Sequence, residues 1–313
     1  MNDVFQSLRF VFVMMIFMSH FAYRDVNPFD AGGDCGVAFF FLLSGFVMSM
    51  GYGRSITDGS FRFGHYIRRR IQKIYPLHLF CLILFILLFR PELDSKLPLN
   101  VLLLQAWIPD SAYYFSYNGV AWFLSCLLFC YLLFPFLYRK SSPCMLLLVL
   151  AYCLIAYILV PYNKINAILY VSPLIRFVDF FLGIILYKQY CTYSNKFTPP
   201  IWAEPLIVVL LILALFSYPY TDEKIRNAPL YWMVLLPLIF VFANQKGPIS
   251  RLLQHNSLRW LGSISMTIFL LHPIVFRSMF HFFPSISPII MLFGCFVLVI
   301  AISWIVNRFL CNF

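Results

Sequence analysis

The sequence predicts an all-α, polytopic membrane protein with about ten transmembrane helices and both termini in the cytoplasm. Hydrophobic residues make up 62% of the 313 residues and charged residues only 11%, with a mean hydropathy of +0.84. A chain this apolar cannot form a soluble core and also cover it with a polar surface. The apolar residues are grouped into about ten runs, and the basic residues collect on alternate loops between those runs.

Ten apolar runs account for the predicted spans, because about 20 residues of helix cross a hydrocarbon core of about 30 Å. In chain order they are Val4–Tyr23, Gly36–Gly53, Ile74–Phe89, Val120–Tyr138, Cys144–Val160, Pro173–Tyr187, Ile201–Tyr218, Leu230–Asn244, Leu261–His281 and Pro288–Cys311. One further apolar stretch, Leu97–Trp107, is too short to cross and is flanked by Pro91, Pro98 and Pro109. We predict a re-entrant or interfacial segment there.

The charges of the loops orient the chain, because lysine and arginine accumulate on the cytoplasmic side of a membrane. With the amino terminus in the cytoplasm, the cytoplasmic loops hold the basic residues Arg54, Arg62, Arg68, Arg69, Arg70, Lys73, Arg139, Lys140, Lys188, Lys196, Lys246, Arg251 and Arg259. The outer loops hold the acidic residues Asp25, Asp30, Asp34, Glu92, Asp94, Asp110, Asp222 and Glu223. Topology and attraction to anionic lipid explain most of the net charge of +11, so we expect no nucleic-acid partner.

The same pattern predicts a single transmembrane domain over residues 1–313, in the cell membrane and without an appended soluble domain. The nine cysteines show no paired spacing of the kind that binds metal ions, so we expect no metal site.

The first span carries two ionisable side chains, Arg9 and His20, which are costly to keep inside a bilayer. They are eleven residues apart, which corresponds to roughly 16 Å of helical rise and places both within about 20° of one face. A polar track along this face would connect Arg9, in the first third of the crossing, with His20 near the far end. Residues of this kind inside a membrane are by default functional.

A basic cluster leads into the third span, in the sequence Arg68-Arg69-Arg70-Ile71-Gln72-Lys73-Ile74-Tyr75-Pro76. Arg70 and Lys73 are three residues apart, so both charged groups fall on one helical face, where they can bind phosphate from the cytoplasm. Tyr75 then lies just inside the membrane beside them. The alternative is a positive-inside anchor without a ligand.

Six motifs in a fixed order resemble the integral-membrane acyltransferase 3 family, whose members move acetyl or other short acyl groups onto cell-surface glycans. The motifs cover nearly the whole chain: Arg9-x10-His20, Gly36–Phe46, the basic stretch ending in Ile74-Tyr75-Pro76, Trp122–Leu127 with Tyr131 and Pro135, Arg176–Gly183, and Ser263–Pro273. Each motif alone is weakly specific, whereas six in the family's order are strongly specific.

The resemblance implies transfer of an acyl group, acetyl in the simplest case, from cytoplasmic acetyl-CoA to a hydroxyl of a surface or lipid-linked saccharide. No permanently bound cofactor is implied. His20 is the implied base that takes the hydroxyl proton, with Arg9 and Asp179 as further catalytic residues. The side chains implied to bind acyl-CoA or acceptor are Arg70, Lys73, Tyr75, Ser44, Trp122, Arg176 and His272.

Five of these residues also have structural interpretations. Ser44 is a small residue that suits close helix packing, and Trp122 suits an interfacial anchor. Arg176 and Asp179 are three residues apart and can form a purely structural ion pair. His272 fits a core histidine whose hydrogen bonds are satisfied.

The chain departs from the family pattern in the motif that begins at Trp122. Many relatives carry an acidic residue there, where this chain has Leu127. If a carboxylate orients His20, the candidates are therefore Asp179, Asp30 and Asp34, in that order.

Two other functions stay open from the sequence. Intramembrane Arg, His and Asp also mark transport paths, so an exporter of a small molecule or glycan is the second hypothesis, and a non-catalytic assembly subunit is the third. A cytoplasmic anion cluster aligned with Arg9 and His20 favours the enzyme, because a coenzyme A donor requires such a cluster. Direct transfer with His20 as base is simpler than transfer through an acyl-histidine, and the sequence leaves both routes open.

Overall fold

The computed structural model describes residues 2–27, 29–194, 196 and 198–310, and those residues form helices with no β-strand beyond one isolated bridge between Tyr23 and Val26. In chain order the α-helices are α1 (Asp3–His20), α2 (Gly32–Thr57), α3 (Phe63–Phe89), α4 (Lys96–Val101), α5 (Ser111–Tyr114), α6 (Trp122–Lys140), α7 (Pro143–Leu159), α8 (Pro173–Tyr193), α9 (Ala203–Phe216), α10 (Glu223–Arg226), α11 (Pro229–Ala243), α12 (Pro248–Leu253), α13 (Asn256–Ser263), α14 (Ser265–Phe282) and α15 (Pro288–Leu310). Shorter 3-10 turns are Gln105–Trp107, Gly119–Ala121, Tyr162–Lys164 and Tyr218–Tyr220, and Ile165–Tyr170 is a π-helical turn.

Each of the ten predicted runs coincides with helix. Most ends differ by a few residues, but α3 begins at Phe63, eleven residues before the predicted start at Ile74. The ninth run is divided between α13 and α14, and Cys311, the predicted end of the tenth, lies outside the described residues. Among the described residues, five helices are long and apolar enough to cross a membrane: Gly32–Thr57, Phe63–Phe89, Gly119–Lys140, Glu223–Ala243 and Pro288–Leu310. Two bent pairs, Pro143–Leu159 with Tyr162–Tyr170 and Asn256–Ser263 with Ser265–Phe282, raise that number to seven. Ten spans with cytoplasmic termini stay a prediction.

Two helices outside that set, α1 and α8, lie at the centre of the bundle. α1 packs against α2, α13 and α14, while α8 packs against α2 and α6. Both carry charged side chains within the helix, Arg9 in α1 and Arg176 with Asp179 in α8, which lowers their apolar character. The exposed apolar side chains concentrate instead on α7, α9 and α15, as expected for helices that face lipid.

The contact between α2 and α8 depends on two glycines, one in each helix, and each of them lies against the backbone of the other helix. A Cβ atom added at Gly45 would overlap the carbonyl of Phe180, and one added at Gly183 would overlap the carbonyl of Leu42. Small residues allow the backbones of membrane helices to approach closely, which increases van der Waals contact where no hydrophobic effect operates. This crossing fixes α8 against the centre of the bundle.

The predicted re-entrant or interfacial stretch consists of α4 and the turn Gln105–Trp107, and neither is long enough to cross a membrane. Two side chains of α3 hold this stretch. The Tyr75 hydroxyl donates to the Val101 carbonyl at 2.8 Å, and Nε2 of His78 lies 2.8 Å from the Asn100 carbonyl. Its position relative to the bilayer stays a prediction.

We expect Gly45→Ala to destabilise the protein by about 1–3 kcal/mol, because the added methyl group forces α2 and α8 apart. Gly51→Ala, in the same helix, is the matched control: no atom lies within 4 Å of the added Cβ, so it should leave stability unchanged or raise it slightly. Thermal unfolding in detergent, followed by size-exclusion chromatography, measures both. Equal melting temperatures for the two variants would contradict the proposed crossing.

Candidate active site

A cavity lies between α1, α2, α3, α6 and α14, with about 670 Å³ of empty space including its open mouth. Four residues selected from the sequence, Arg9, Ser44, Arg70 and Lys73, line it together. The remaining lining residues are Phe5, Phe40, Leu43, Val47, Met48, Ile74, Phe123, Leu127, Tyr131 and Met266. A water-sized molecule can occupy only about 80 Å³ of the cavity, less than the roughly 300–1,000 Å³ of typical ligand pockets, so a ligand must displace lining side chains to enter.

Arg70 and Lys73 face the cavity from α3, as their spacing of three residues predicts. The guanidinium of Arg70 donates to the Tyr52 hydroxyl at 3.1 Å and lies 5.5 Å from the centre of the Tyr52 ring. A second nitrogen of the same group lies 3.6 Å from the sulfur of Met48. The Nε of Arg70 is buried without a hydrogen-bond partner among the described residues, so this side chain still has a donor for a ligand.

The cavity is positively charged. Its described lining contains Arg9, Arg70 and Lys73 but neither aspartate nor glutamate, and the Arg9 guanidinium forms no ion pair within the described part of the chain. Leu127, where the family resemblance implies an acidic residue, is a lining residue here and adds no negative charge. A guanidinium without an ion pair in an apolar setting, such as that of Arg9, attracts anions, because an anion restores part of the lost hydration energy.

Outside this cavity, His20 pairs with His272. Nδ1 of His20, at the end of α1, lies 3.2 Å from Nε2 of His272 in α14, and the ring centres are 5.0 Å apart. Nδ1 of His20 also lies 3.0 Å from the Ile16 carbonyl, and Nδ1 of His272 lies 3.3 Å from the Ile268 carbonyl. The two imidazoles therefore form a short chain of hydrogen bonds that ends at the backbone of α14.

These contacts favour one arrangement of protons. A carbonyl oxygen only accepts, so Nδ1 of His272 carries the proton that it donates to Ile268, and its Nε2 is free to accept. Nδ1 of His20 then carries a proton that is shared between His272 and the Ile16 carbonyl, which leaves Nε2 of His20 unprotonated. His272 is completely buried whereas His20 is exposed, so the free lone pair belongs to the accessible ring.

The cavity and the histidine pair are separate in this structure. Neither His20 nor His272 lines the cavity, which ends at the rings of Phe40 and Phe123 on that side. The predicted continuous polar track along α1 is therefore wrong for this conformation. Helical periodicity correctly places Arg9 and His20 on one face but carries no information about the aromatic side chains that other helices insert between them.

Arg176 and Asp179 form a completely buried ion pair in α8, with 2.8 Å between Nη1 and Oδ2. Arg176 also donates to the Leu169 carbonyl at 2.8 Å, and the indole nitrogen of Trp232 donates to Asp179 at 2.5 Å. The pair thus ties α8 to the π-helical turn and to α11. These partners correct the prediction that Asp179 orients His20, since the ring beside that imidazole is His272.

Two other predicted binding residues lie outside the cavity. Tyr75 contacts Val101 through its hydroxyl, and Trp122 is buried with its ring 5.1 Å from that of Tyr170. Sequence reasoning missed Tyr131 as a cavity residue. The available signal was its spacing of four residues from Leu127, which puts both on one face of α6.

Comparison with known proteins identifies the family. The profile of an acyltransferase domain, that of the acyltransferase 3 family, matches residues 3–308. The chain belongs to this family. It is also similar to the acyltransferase MdmB of Streptomyces mycarofaciens, with 38% identity over 117 residues, which cover 34% of this chain and 29% of MdmB. The chain thus matches less than a third of that relative's length, and no solved structure matches it.

We expect Asp179→Asn to destabilise the fold by about 3–5 kcal/mol, because it leaves the Arg176 guanidinium buried without its counter-charge. Asp94→Asn is the matched control, since it breaks a solvent-exposed pair with Lys96 and should change stability little. Thermal unfolding in detergent measures both variants. A stable but inactive Asp179→Asn protein would instead indicate a catalytic role.

Proposed function

We propose that this acyltransferase 3 protein is an acetyl-CoA-dependent O-acyltransferase of the cell membrane, acting on a hydroxyl of a surface or lipid-linked saccharide. The observation that carries the proposal is the cavity lined by Arg9, Arg70 and Lys73 without a carboxylate among its described residues. Coenzyme A carries its negative charge on phosphate groups, which guanidinium and ammonium groups bind well. With cytoplasmic termini, the basic end of α3 faces the compartment in which acyl-CoA is made.

His20 is the base in the proposed reaction. Its Nε2 takes the proton of the acceptor hydroxyl while the hydroxyl oxygen attacks the carbonyl carbon of the thioester. The carbon–sulfur bond then breaks, and the imidazolium returns the proton to the departing thiolate, so that the products are an ester and free coenzyme A. Nε2 of His272 accepts a hydrogen bond from the Nδ1–H group of His20. This hydrogen bond favours the tautomer in which Nε2 of His20 is unprotonated and can act as the base.

Arg9 and Ser44 belong to the donor side of this reaction. Arg9 is roughly 16 Å of helical rise away from His20, so we assign it to the phosphates and not to the reacting carbonyl. Ser44 faces the same cavity from α2. The pantetheine arm of the donor, which is long and flexible, would cover the distance between the cations and the imidazole.

The saccharide acceptor follows from the family resemblance and fits the position of His20. This residue is exposed at the carboxyl end of α1, whereas Arg70 and Lys73 line the cavity on the other side of the Phe40 and Phe123 rings. A donor entering from the cytoplasm and an acceptor arriving at the outer face would thus meet at His20 from opposite directions.

We expect His20→Ala to lower the transfer rate at least about 100-fold, since general-base catalysis contributes about that much or more. The measurement is transfer of radiolabelled acetyl from acetyl-CoA to surface saccharide isolated from cells that lack this protein, with binding of acetyl-CoA measured separately and expected to be unchanged. His281→Ala, at the exposed end of α14, is the control and should keep the parental rate. Parental transfer by His20→Ala would remove this residue from the mechanism.

We expect Arg70→Ala to raise KM for acetyl-CoA about tenfold with little change in kcat, because it removes a charge-assisted contact with phosphate. The parent should also prefer acetyl-CoA over acetyl-dephospho-CoA more strongly than the variant does. Arg69→Ala, an exposed neighbour that does not line the cavity, is the control. An unchanged KM in Arg70→Ala would contradict donor binding in this cavity.

A further inference from the structure

A septum of aromatic rings closes the cationic cavity on the side of the histidine pair. Phe123 is at its centre: its ring centre lies 6.3 Å from that of Phe40, 4.6 Å from that of Phe41 and 5.1 Å from that of Phe269. Phe123 and Phe40 are the lining residues of α6 and α2 that lie farthest along each helix from Tyr131 and Met48, the lining residues at the other end. Phe123 is 3% exposed, so its neighbours cover nearly all of its surface.

The septum is thin. The Phe269 ring, which contacts Phe123, lies 6.1 Å from the His272 ring, and His272 contacts His20 directly. Two ring-to-ring contacts therefore separate the cationic cavity from the hydrogen-bonded histidines. His20 is exposed on its own side and the cavity is open at its mouth, so polar groups approach the septum from both directions.

Because polar space lies on both sides of this thin barrier, the barrier controls whether ions can cross the bundle. Without the barrier, an anion could move from the cationic cavity to the exposed imidazole and so across the bundle. Apolar constrictions stop ions because water leaves the constriction and the ion would have to give up its hydration shell. A donor whose thioester reaches His20 must nevertheless pass this same point.

We propose that the space held by the Phe123 ring, against Phe40, is the subsite of the pantetheine arm, and that the ring seals the bundle against ions when the subsite is empty. The narrow, largely uncharged arm takes the place of the ring, so the barrier to ions is kept while the thioester reaches His20. The identity of the molecule that displaces the ring rests on the proposed function. The seal itself rests only on the ring contacts and on the two polar compartments.

The test is chloride flux through reconstituted protein. Phosphatidylcholine vesicles containing the purified protein and a chloride-sensitive dye are placed under a chloride gradient, with valinomycin and potassium to remove the electrical potential. We expect Phe123→Ala to raise the protein-dependent flux at least tenfold over the parent. Coenzyme A at saturating concentration on both sides should return the flux of Phe123→Ala to the parental value.

Phe134→Ala is the matched control, because it truncates an equally buried phenylalanine of α6 that packs on Tyr66 and Phe180 and does not line the cavity. Equal flux through Phe123→Ala and Phe134→Ala would overturn the seal. A flux through Phe123→Ala that coenzyme A does not reduce would overturn the pantetheine subsite. If Phe123→Ala does not fold, Phe123→Leu replaces it, with an expected flux between those of the parent and an open path.

The flux measurement does not depend on acyl transfer, so it tests this proposal separately from the proposed function. A leak that coenzyme A blocks, in a protein that transfers no acetyl group to any saccharide, would refute the acyltransferase proposal and support the subsite. Suppose instead that the parent transfers acetyl groups and that the chloride flux through the Phe123 variants equals that through Phe134→Ala. This result would support the acyltransferase proposal and refute the seal.

Discussion

The cost of keeping a guanidinium group inside an apolar helix bundle determines how this protein is arranged. Such a group must have a counter-charge, hydrogen-bond acceptors or access to a polar space, because burial removes its hydration. Arg176 has the first two, in Asp179 and the Leu169 carbonyl, and is completely buried. Arg9 has neither an ion pair among the described residues nor full burial, and it faces the cavity. One arginine therefore holds helices together, and the other is available to an anion.

Helix α2 contacts both the helix that carries the Arg176–Asp179 ion pair and the cavity that Arg9 lines. On one side, Gly45 lets α8 approach closely, which brings the Arg176–Asp179 pair into the centre of the bundle. On another side, Ser44 and Met48 line the cavity, and Phe40 closes its end. The close packing that small residues allow and the space that a ligand needs are therefore built along the same helix, on different faces. This explains why a glycine, a serine and a phenylalanine lie so near one another in a single transmembrane segment.

The imidazole of His20 is oriented by a second imidazole and not by a carboxylate. The neutral His272 ring accepts a hydrogen bond from the Nδ1–H group of His20 and so favours one tautomer of His20 without adding negative charge. The described lining of the cavity likewise contains no carboxylate, and Leu127 lies where the family resemblance implies an acidic residue. A carboxylate there would neutralise part of the positive potential that attracts phosphate. Both features keep negative charge away from Arg9, Arg70 and His20.

Composition and periodicity by themselves determined that this is a helical membrane protein, which ten segments are helical, and that Arg70 and Lys73 share one face. These properties depend on local sequence, because helix length, apolar content and the 3.6-residue period act within a single segment. The resemblance carried by six ordered motifs also identified the family, which the comparison with known proteins confirms.

Tertiary structure alone decided which side chains meet. It paired His20 with His272, which are 252 residues apart, tied Asp179 to Trp232 and inserted Phe123 between the cations and the imidazole. No helical period encodes such contacts, since they depend on how close two backbones come and on which side chains fill the space left between them.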